Sequence, residues 1–498
     1  MSTPAEKPNA DKPYTTVIGL EVHVQLATQS KLFCGCSIAY GAPPNTQTCP
    51  VCIGMPGSLP VMNREAVRLS IRTGLALNCR IDRHTKWDRK QYFYPDLPKG
   101  YQISQYDHPI ASEGCVAIAD PKDRFPEKQV RLIRAHLEED AGKSVHSDLG
   151  GGDSVIDLNR TGTPLLEIVS EPDLRSAAEA RAYLSELKLI LTYLGVSDCN
   201  MQEGSLRVDA NVNLHIDSGD KKIATPIVEI KNMNSFRAVE HAIEYEADRQ
   251  HRVWQETGAV LGQMPKQTRG WNDATGKTVA QREKEESSDY RYFPDPDLPP
   301  LEISDEQIAT ERENLGRLPG ALREELAGDH GLSAYDADVI VNQGVAMVDY
   351  YLAVAAASGD SKAAANWVTQ DVLRVLKARE ATIDELKLPA EQLAELIKAL
   401  AAGEAPKPRG RELFDLMVEQ DVPLAEAMRR LGIEKVDESA LENLAQELLD
   451  ANPRIVADVQ AGKQQAVGAL IGQAKKKNPN VDPNRFRQLC LELVAKQG

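Results

Sequence analysis

The sequence lacks the features that mark several common classes of protein. Its 498 residues contain no apolar run of about 18 residues, so no membrane-spanning helix is expected. The first sixteen residues, MSTPAEKPNADKPYTT, have no apolar segment of the kind found in secretory signals. Eight cysteines are too few for a disulfide-stabilised chain of this length. We therefore predict a soluble, cytoplasmic protein with no membrane partner.

An excess of positive charge is also missing. The chain has 58 Lys and Arg against 74 Asp and Glu, a formal net charge of −16, which argues against a protein that coats nucleic acid indiscriminately. Residues 463–498 differ, because they hold seven Lys or Arg against two acidic residues, a local charge of +5. This segment is a candidate RNA contact, and a solvated helical tail with a chance cluster of lysines is the alternative.

The common nucleotide-binding and hydrolase motifs are absent. A phosphate-binding loop needs GxxxxGK[ST], but five residues separate Gly270 from the run Gly276, Lys277 and Thr278, which is one too many. No GxGxxG opens a helix, and neither GxSxG nor HExxH occurs. If the chain binds ATP, it does so by an unconventional route.

The residue patterns predict an α+β protein in three parts. Residues 1–300 are dense in short alternating strands and Gly or Pro turns, and they end in the proline-rich DYRYFPDPDLPP. Residues 301–405 have Ala, Leu, Glu and Lys at helical spacing, for example over 336–357, 367–377 and 389–402. The segment AGEAPKPRG (402–410) reads as a linker, and we predict a small helical tail over 406–498.

One strand near the N-terminus has an unusual polar face. In VIGLEVHVQL (17–26) a two-residue period places the apolar side chains on one face and Gly19, Glu21, His23 and Gln25 on the other. A carboxylate, an imidazole and an amide side by side are groups that a metal or phosphate site needs. Taken alone, the pattern is more typical of a solvated strand.

Four later segments repeat this logic. HLEEDAGK (136–143) places Glu138, Glu139 and Asp140 together, which favours a nearby cation, although a solvated turn is the alternative reading. DLNRTGTPLLEIVSEPDL (157–174) has a carboxylate inside an apolar run, which is costly unless it is paired or metal-bound. EGSLRVDANVNL (203–214) and VEIKNMNSFR (228–237) carry further polar faces. Together they predict the floor of an anion-binding cavity, with candidate residues Arg160, Glu167, Arg207, Asp209, Lys231 and Asn232.

The cysteine spacing is the most specific pattern. Cys34-x-Cys36 is followed after twelve residues by Cys49-x-x-Cys52. Each pair can bind one side of a tetrahedral Zn²⁺, and four thiolates make a closed, structural site. We predict a zinc-binding insertion near 34–52, with incidental free thiols as the alternative.

Seven of these segments together resemble a known family. GLEVHVQL, DRKQYFYPDLPKGYQISQ, HLEEDAGK, DLNRTGTPLLEIVSEPD, EGSLRVDANVNL, EIKNMNSF and DYRYFPDPDL occur in this order, as in the B subunit of the bacterial glutamyl/aspartyl-tRNA amidotransferase. The resemblance runs from about residue 15 to the C-terminus. The end of the chain, including NPRIVADVQAGKQQAVGALIGQAKKK, is similar to the YqeY-like domain that closes this family.

The resemblance implies a fold and an activity. The first 300 residues would be a cradle-like kinase and transamidase domain, and the tail would bind tRNA. The enzyme would be a carbon–nitrogen ligase that uses ATP and Mg²⁺ to activate Glu on tRNA(Gln), or Asp on tRNA(Asn). Ammonia would come from the glutaminase, or A, subunit, in a heterotrimer that also contains a small C subunit.

The resemblance also implies site residues. The Mg²⁺ ligands fall on His23, Glu139 and Glu167, with Glu21 close by. We add Asp209 as a catalytic residue from its strand face, and we place nucleotide and acyl-phosphate contacts at Arg160, Arg207, Lys231 and Asn232 from charge and face. The four cysteines match the zinc-bearing branch of the family.

Two other hypotheses belong to different functional classes. A non-catalytic scaffold could present tRNA to an amidase, but it would have no reason to bury Glu167 beside Glu21 and His23. A small-molecule carboxylate–amine ligase would need no RNA, and the basic tail argues against it.

Overall fold

The computed structural model describes residues 13–120, 124–146, 154–218, 221–264, 266–281, 290–433, 438–478 and 480–497. The chain divides into two compact units, Met1–Pro319 and Gly320–Gly498. The three-part division at 300 and 405 stays a prediction.

All of the described strands, and four of the described α-helices, lie in the first unit. Its strands are β1 (Thr15–Gln25), β2 (Arg80–Ile81), β3 (His84–Thr85), β4 (Asp88–Gln91), β5 (Tyr101–Ser104), β6 (Ala111–Ile118), β7 (Lys128–Glu139), β8 (Lys143–His146), β9 (Ser154–Asp157), β10 (Pro164–Ser170), β11 (Leu206–Ser218), β12 (Lys221–Ala224), β13 (Val228–Lys231), β14 (Gln267–Asn272), β15 (Lys277–Ala280), β16 (Phe293–Pro294) and β17 (Leu301–Glu302). Its helices are α1 (Arg64–Ala76), α2 (Ala177–Tyr193), α3 (Phe236–Thr257) and α4 (Asp305–Glu313).

Ten of the described strands form one mixed sheet. Its order is β15-β14-β13-β11-β1-β10-β7-β6-β2, and β12 pairs with β11. Neighbouring strands run antiparallel except β13 and β14, which are parallel. A second, three-stranded sheet has the order β16-β4-β5. The strand with the unusual polar face, β1, therefore lies in the middle of the large sheet.

The apolar face of β1 lies in the main core. Ile18, Leu20, Val22 and Val24 are at most 1% exposed, and each buried side chain of this size stabilises the fold by about 1.5–3 kcal/mol. Helices α2 and α3 contribute to the same apolar cluster. Each begins at a serine N-cap, Ser176 or Ser235, whose hydroxyl accepts a hydrogen bond from a backbone N–H of the first turn. Because the apolar face of β1 is buried in this core, its polar side chains lie on the opposite face of the sheet.

The second unit is helical in its described residues. Its helices are α5 (Pro319–Gly328), α6 (Ala334–Val341), α7 (Val345–Ser358), α8 (Ser361–Asn366), α9 (Leu373–Arg379), α10 (Ala390–Ala401), α11 (Gly410–Gln420), α12 (Leu424–Arg430), α13 (Glu438–Asp450), α14 (Pro453–Gln460), α15 (Gly468–Lys477) and α16 (Pro483–Gln497), with a π-helical stretch at Trp367–Val372. An apolar cluster that includes Leu448, Leu470 and Phe486 packs α13, α15 and α16 together.

The predicted fold class is confirmed. A sheet-based N-terminal unit is followed by a helical region, as the residue patterns indicated. Within the described residues, every helix is too short or too polar to cross a membrane.

Gly114 in β6 offers a test of packing in the large sheet. A Cβ added there would clash with the sulfur of Cys79 and would lie 2.6 Å from the backbone oxygen of Leu77. Because the carbonyl cannot move without shifting the chain, we expect Gly114→Ala to lower the free energy of unfolding by about 1–3 kcal/mol. Urea denaturation followed by circular dichroism measures the change.

The matched control is Gly19→Ala in β1. A Cβ at Gly19 would be no closer than 3.7 Å to Pro172 and Ser170, an ordinary contact distance. Equal losses of stability in the two variants would contradict this account of Gly114.

Candidate active site

A row of charged and imidazole side chains crosses four neighbouring strands of the large sheet. In β1, His23 lies opposite Arg207 of β11 on one side and Glu167 of β10 on the other. Glu167 in turn lies opposite His136 of β7. Directly opposed side chains in antiparallel strands are close enough to interact, so the register alone brings the four together.

The first cluster on this face contains two imidazoles and two carboxylates. The Nε2 atom of His23 lies 3.6 Å from Glu167 and 3.8 Å from Glu138. The Nε2 atom of buried His136 lies 3.2 Å from Glu167, while its Nδ1 atom has no hydrogen-bond partner in the described structure. One ligand atom from each of His23, Glu138 and Glu167 fits within a 4.8 Å span. This donor set can hold a divalent cation.

The acid–base properties of this cluster are strongly perturbed. Burial opposes the charged form of His23, but Glu167 and Glu138 outweigh that effect and raise the pKa of His23 to about 9. Burial and the Glu167 carboxylate raise the pKa of Glu138. Burial also disfavours the charged form of Glu167, but His136 and His23 lower its pKa well below the ordinary value of 4.5. The two carboxylates thus have opposite tendencies to ionise.

A second acidic cluster lies next along the same face. Carboxylate oxygens of Glu21, Asp209 and Glu229 come within 4.8 Å of one another. The ammonium of Lys231 lies 2.6 Å from Asp209 and 3.6 Å from Glu229, and Asn211 donates a hydrogen bond to Glu21 over 2.8 Å. Asp209 and Glu229 raise the pKa of Lys231 against the effect of burial, so a fixed cation stands among these carboxylates.

Asp140 ties two arginines to the edge of the site. Arg207 donates to Asp140 over 2.6 Å, and Gln25 donates to the same carboxylate over 2.8 Å. Arg160 lies 3.5 Å away and also donates to the backbone oxygens of Ala141 and Gly142. The guanidinium groups therefore hold the loop after β7 and keep positive charge beside the clusters.

The neighbouring Glu139 lies elsewhere. It forms an ion pair with Lys99 and accepts a hydrogen bond from the backbone N–H of Ile103. Both charged groups line a cavity of about 190 Å³, together with Lys31, Cys34, Cys52, Tyr101, Ile103 and Gly162. Glu139 is therefore part of a separate buried ion pair and is not in either acidic cluster.

The four spaced cysteines converge on one point. The sulfur atoms of Cys34, Cys36, Cys49 and Cys52 lie within 4.8 Å of one another, which is compatible with a structural zinc site. The buried ammonium of Lys31 lies 3.6 Å from the Cys52 sulfur. A hydrogen bond from the Cys34 thiol lowers the pKa of Cys52 to about 4.

Comparison with known proteins identifies the family. The family model described as the GatB/GatE catalytic domain matches residues 16–309, and the one described as the GatB domain matches residues 349–494. The chain belongs to the GatB family. It is 61% identical over 485 residues to the B subunit of the aspartyl/glutamyl-tRNA(Asn/Gln) amidotransferase of Rhodopirellula baltica, covering 97% of each chain.

Other members of this family are also similar along almost their full length. The same subunit of Moorella thermoacetica is 47% identical, over 93% of this chain and 96% of that protein. That of Symbiobacterium thermophilum is 45% identical, over 97% and 99%. The family that the seven motifs indicate is thus confirmed.

The structure brings most of the predicted site residues of this GatB-family chain onto one face. His23, Glu167 and Arg207 share a row, and Glu21, Asp209 and Lys231 form the adjacent cluster. Arg160 lies at the edge of this face. Asn232 is exposed in the turn after β13, with a left-handed φ of 65°.

Sequence reasoning placed Glu138 in the acidic run of HLEEDAGK, but it did not name Glu138, His136 or Glu229 as a site residue. A signal for the first two was present, since alternate residues of a strand share a face, which separates His136 and Glu138 from Glu139. The same period places Glu229 beside Lys231.

The Asp140 ion pair predicts how stability depends on pH. Burial opposes ionisation of Asp140, but Arg207 and Arg160 outweigh it and lower its pKa below the ordinary 3.8. The ion pair therefore stabilises the fold fully at pH values above the pKa of Asp140 in the unfolded chain. This stabilisation is lost as the pH falls through the lower pKa that Asp140 has in the folded protein. Since Arg207 is about one-third exposed, we expect Asp140→Asn to cost about 1–3 kcal/mol after solvent screening, less than a fully buried pair would lose.

The measurement is urea denaturation between pH 7 and pH 2. Asp140→Asn should lose stability at pH 7 and show a shallower acid dependence than the wild type. Glu203→Gln, at an exposed position, serves as the control. Parallel pH profiles for wild type and Asp140→Asn would contradict the ion-pair account.

Proposed function

We propose that this chain is the subunit that activates and amidates Glu on misacylated tRNA(Gln), or Asp on misacylated tRNA(Asn), in the cytoplasm. The observation that supports this proposal most directly is the row Arg207, His23, Glu167 and His136 across four strands of a GatB-family chain. Such a row places a carboxylate, which can hold a metal ion, beside fixed positive charge, and phosphoryl transfer from ATP depends on positioning and on cations around the phosphates.

The proposed reaction has two steps. A side-chain carboxylate oxygen of the aminoacyl group attacks the γ-phosphorus of ATP, and the bond to the leaving ADP oxygen breaks. Ammonia then attacks the carbonyl carbon of the acyl phosphate, phosphate leaves, and the nitrogen loses a proton to give the amide. We propose that a partner glutaminase, the A subunit, releases this ammonia from glutamine and that a small C subunit completes the heterotrimer.

His23, Glu138 and Glu167 fit the coordination of a divalent cation, because their ligand atoms converge within 4.8 Å. When bound there, Mg²⁺ would neutralise charge on the phosphate oxygens. The geometry favours Glu138 over Glu139 as a ligand, because Glu139 is paired with Lys99. His136, 3.2 Å from Glu167, would hold that carboxylate in place.

The cations of the site have distinct roles in this proposal. Arg207 is held by Asp140 and presents its charge in the same row as His23, where it would orient the phosphates. Lys231 stands among the second set of carboxylates and would counter negative charge as it spreads in the transition state. Arg160 holds the loop after β7, so its contribution would be one of position.

The remaining proposals concern zinc and tRNA. Cys34, Cys36, Cys49 and Cys52 offer four sulfur ligands with Lys31 as a nearby cation, and such a site would stabilise the insertion rather than react. In the tail, Lys475, Lys476 and Lys477 form the last turn of α15. We propose that this turn contacts tRNA phosphates.

Substitution of the carboxylates tests the active site. In the complex with the A and C subunits, we expect Glu167→Ala and Glu138→Gln to reduce Gln-tRNA formation and ATP hydrolysis about 10²–10³-fold, while glutaminase activity is retained. Glu139→Gln should have a different effect, because it removes the charge partner of Lys99 rather than a cation ligand.

Mg²⁺ titration of ATP hydrolysis separates these cases. Glu138→Gln should shift the Mg²⁺ requirement to higher concentration, and Glu139→Gln should not. A fully active Glu167→Ala enzyme would contradict the proposal and would favour a non-catalytic tRNA-binding scaffold.

Zinc content provides an independent test. We expect the purified protein to hold one Zn²⁺ per chain, and Cys49→Ser to lose it and to lower the melting temperature. Cys115→Ala, which removes a cysteine outside the cluster, is the control and should retain the metal. Atomic emission and thermal unfolding give both readouts, and a metal-free wild type of unchanged stability after chelation would contradict the assignment.

A further inference from the structure

Five tyrosine rings form a continuous row in the first unit. Neighbouring ring centroids are separated by 5.9 Å for Tyr94 and Tyr92, 6.0 Å for Tyr92 and Tyr290, 6.1 Å for Tyr290 and Tyr292, and 4.2 Å for Tyr292 and Tyr106. We call these five residues the tyrosine row. The last pair is stacked, with an angle of 14° between the ring planes.

The row is assembled from three separate segments. Tyr92 directly follows β4, Tyr106 lies two residues after β5, and Tyr292 directly precedes β16. These strands form the three-stranded sheet, and the backbone N–H of Gln91 donates to the oxygen of Tyr290 over 2.9 Å. The pairing of β4 with both β16 and β5 thus brings together rings that are about 200 positions apart in the sequence.

The ends of the tyrosine row are accessible. Tyr106 is 52% exposed and Tyr94 is 44% exposed. Tyr292 covers one face of the Tyr106 ring, so a further ring could stack only on the other face. Exposed aromatic rings at both ends of a packed row mark a candidate ligand-binding surface.

The tyrosine row lies beside the acidic clusters. Arg134 of β7 lies opposite Val169 of β10, which in turn lies opposite Glu21 of β1. The Arg134 guanidinium donates a hydrogen bond to the backbone oxygen of Tyr106 over 2.9 Å. Burial, followed by the charge of Glu138, raises the pKa of Tyr292, so this ring is within electrostatic reach of the first cluster.

Positive charge accompanies the rings. The Lys90 ammonium lies 4.9 Å from the centroid of Tyr290 and 5.7 Å from that of Tyr92. The Lys90 ammonium and the Arg134 guanidinium together place positive charge along the tyrosine row. Proteins that bind single-stranded nucleic acid use this combination, since bases stack on the rings and phosphates face the cations.

The chemistry of the proposed reaction fixes where such a surface is needed. The carboxylate to be phosphorylated belongs to an amino acid esterified to the terminal ribose of the tRNA. When that carboxylate reaches the acidic clusters, the terminal base must lie within about one nucleotide of them. Tyr106 is a candidate for such a surface, because its backbone oxygen accepts a hydrogen bond from Arg134, which lies two residues before His136 in β7.

We propose that the tyrosine row binds the unpaired 3′-terminal nucleotides of the aminoacylated tRNA, with a base stacked on the exposed face of Tyr106. This inference rests on the proposed function and extends it by locating the acceptor end of the substrate. The adenine of ATP is the less suitable occupant, because one purine needs a single ring face, whereas the row exposes a tyrosine at each of its two ends, Tyr106 and Tyr94.

Steady-state kinetics on the assembled complex test this. With ammonium chloride as nitrogen donor, the KM values for Glu-tRNA(Gln) and for ATP are measured separately. Tyr106→Ala should raise the KM for Glu-tRNA about 10-fold and leave that for ATP within about twofold, given the usual strength of base stacking on one ring. Tyr106→Phe, which keeps the ring, should resemble the wild type, and so should Tyr40→Ala at an exposed tyrosine outside the row.

A binding measurement decides the proposal independently of turnover. A tRNA whose terminal base is 2-aminopurine should lose fluorescence on binding the wild-type complex, and Tyr106→Ala should restore it. A higher KM for ATP alone would overturn the proposal in favour of adenine binding, and unchanged constants with unchanged quenching would overturn it in favour of internal packing. If the wild type quenches but forms no Gln-tRNA, the proposed function fails while the base-binding surface stands.

Discussion

The antiparallel pairing of β1 with β10 and β11 is the constraint on which the rest of the site depends. It sets His23 opposite both Glu167 and Arg207, and Glu21 opposite Asp209. A shift of one residue in either pairing would turn these side chains toward the helices and the apolar ones toward solvent. The apolar face of β1, buried against α2 and α3, therefore fixes the register that assembles the polar face.

The charges on this face balance locally. Glu167 is stabilised by two imidazoles, Asp140 by two arginines, and Asp209 by Lys231. Burial and the charge of Glu167 raise the pKa of Glu138, because the nearby imidazoles and Lys90 do not outweigh them. The charges of this face are therefore largely balanced without a ligand. Its carboxylates are nevertheless groups whose negative charge a divalent cation would balance better than a proton does.

The alternation of residues along each strand made the polar faces of β1, β11 and β13 predictable. The spacing of the cysteines predicted their cluster, and the change from alternating to helical spacing predicted the order of sheet and helical regions. The choice between Glu138 and Glu139 followed from resemblance rather than from the strand period, and the structure brings Glu138 to His23. The helical spacing over 336–357 did not reveal that Gly344, with a φ of 99°, separates α6 from α7. The tyrosine row could not be predicted, because the pairing of β4 with β16 joins segments that are far apart in the sequence.

Gly162 links the chain that leads into the cysteine segment to the polar face of the large sheet. Its backbone N–H donates to the oxygen of Asp140, and its own oxygen accepts from the N–H of Leu32, just before the cysteines. Its φ of +82° lies in the left-handed region, which favours glycine at this turn. These hydrogen bonds connect the chain just before the cysteines with Asp140 and with the loop that carries Arg160 and leads into β10. The backbone around Gly162 is therefore shared between the cysteine segment and the edge of the polar face.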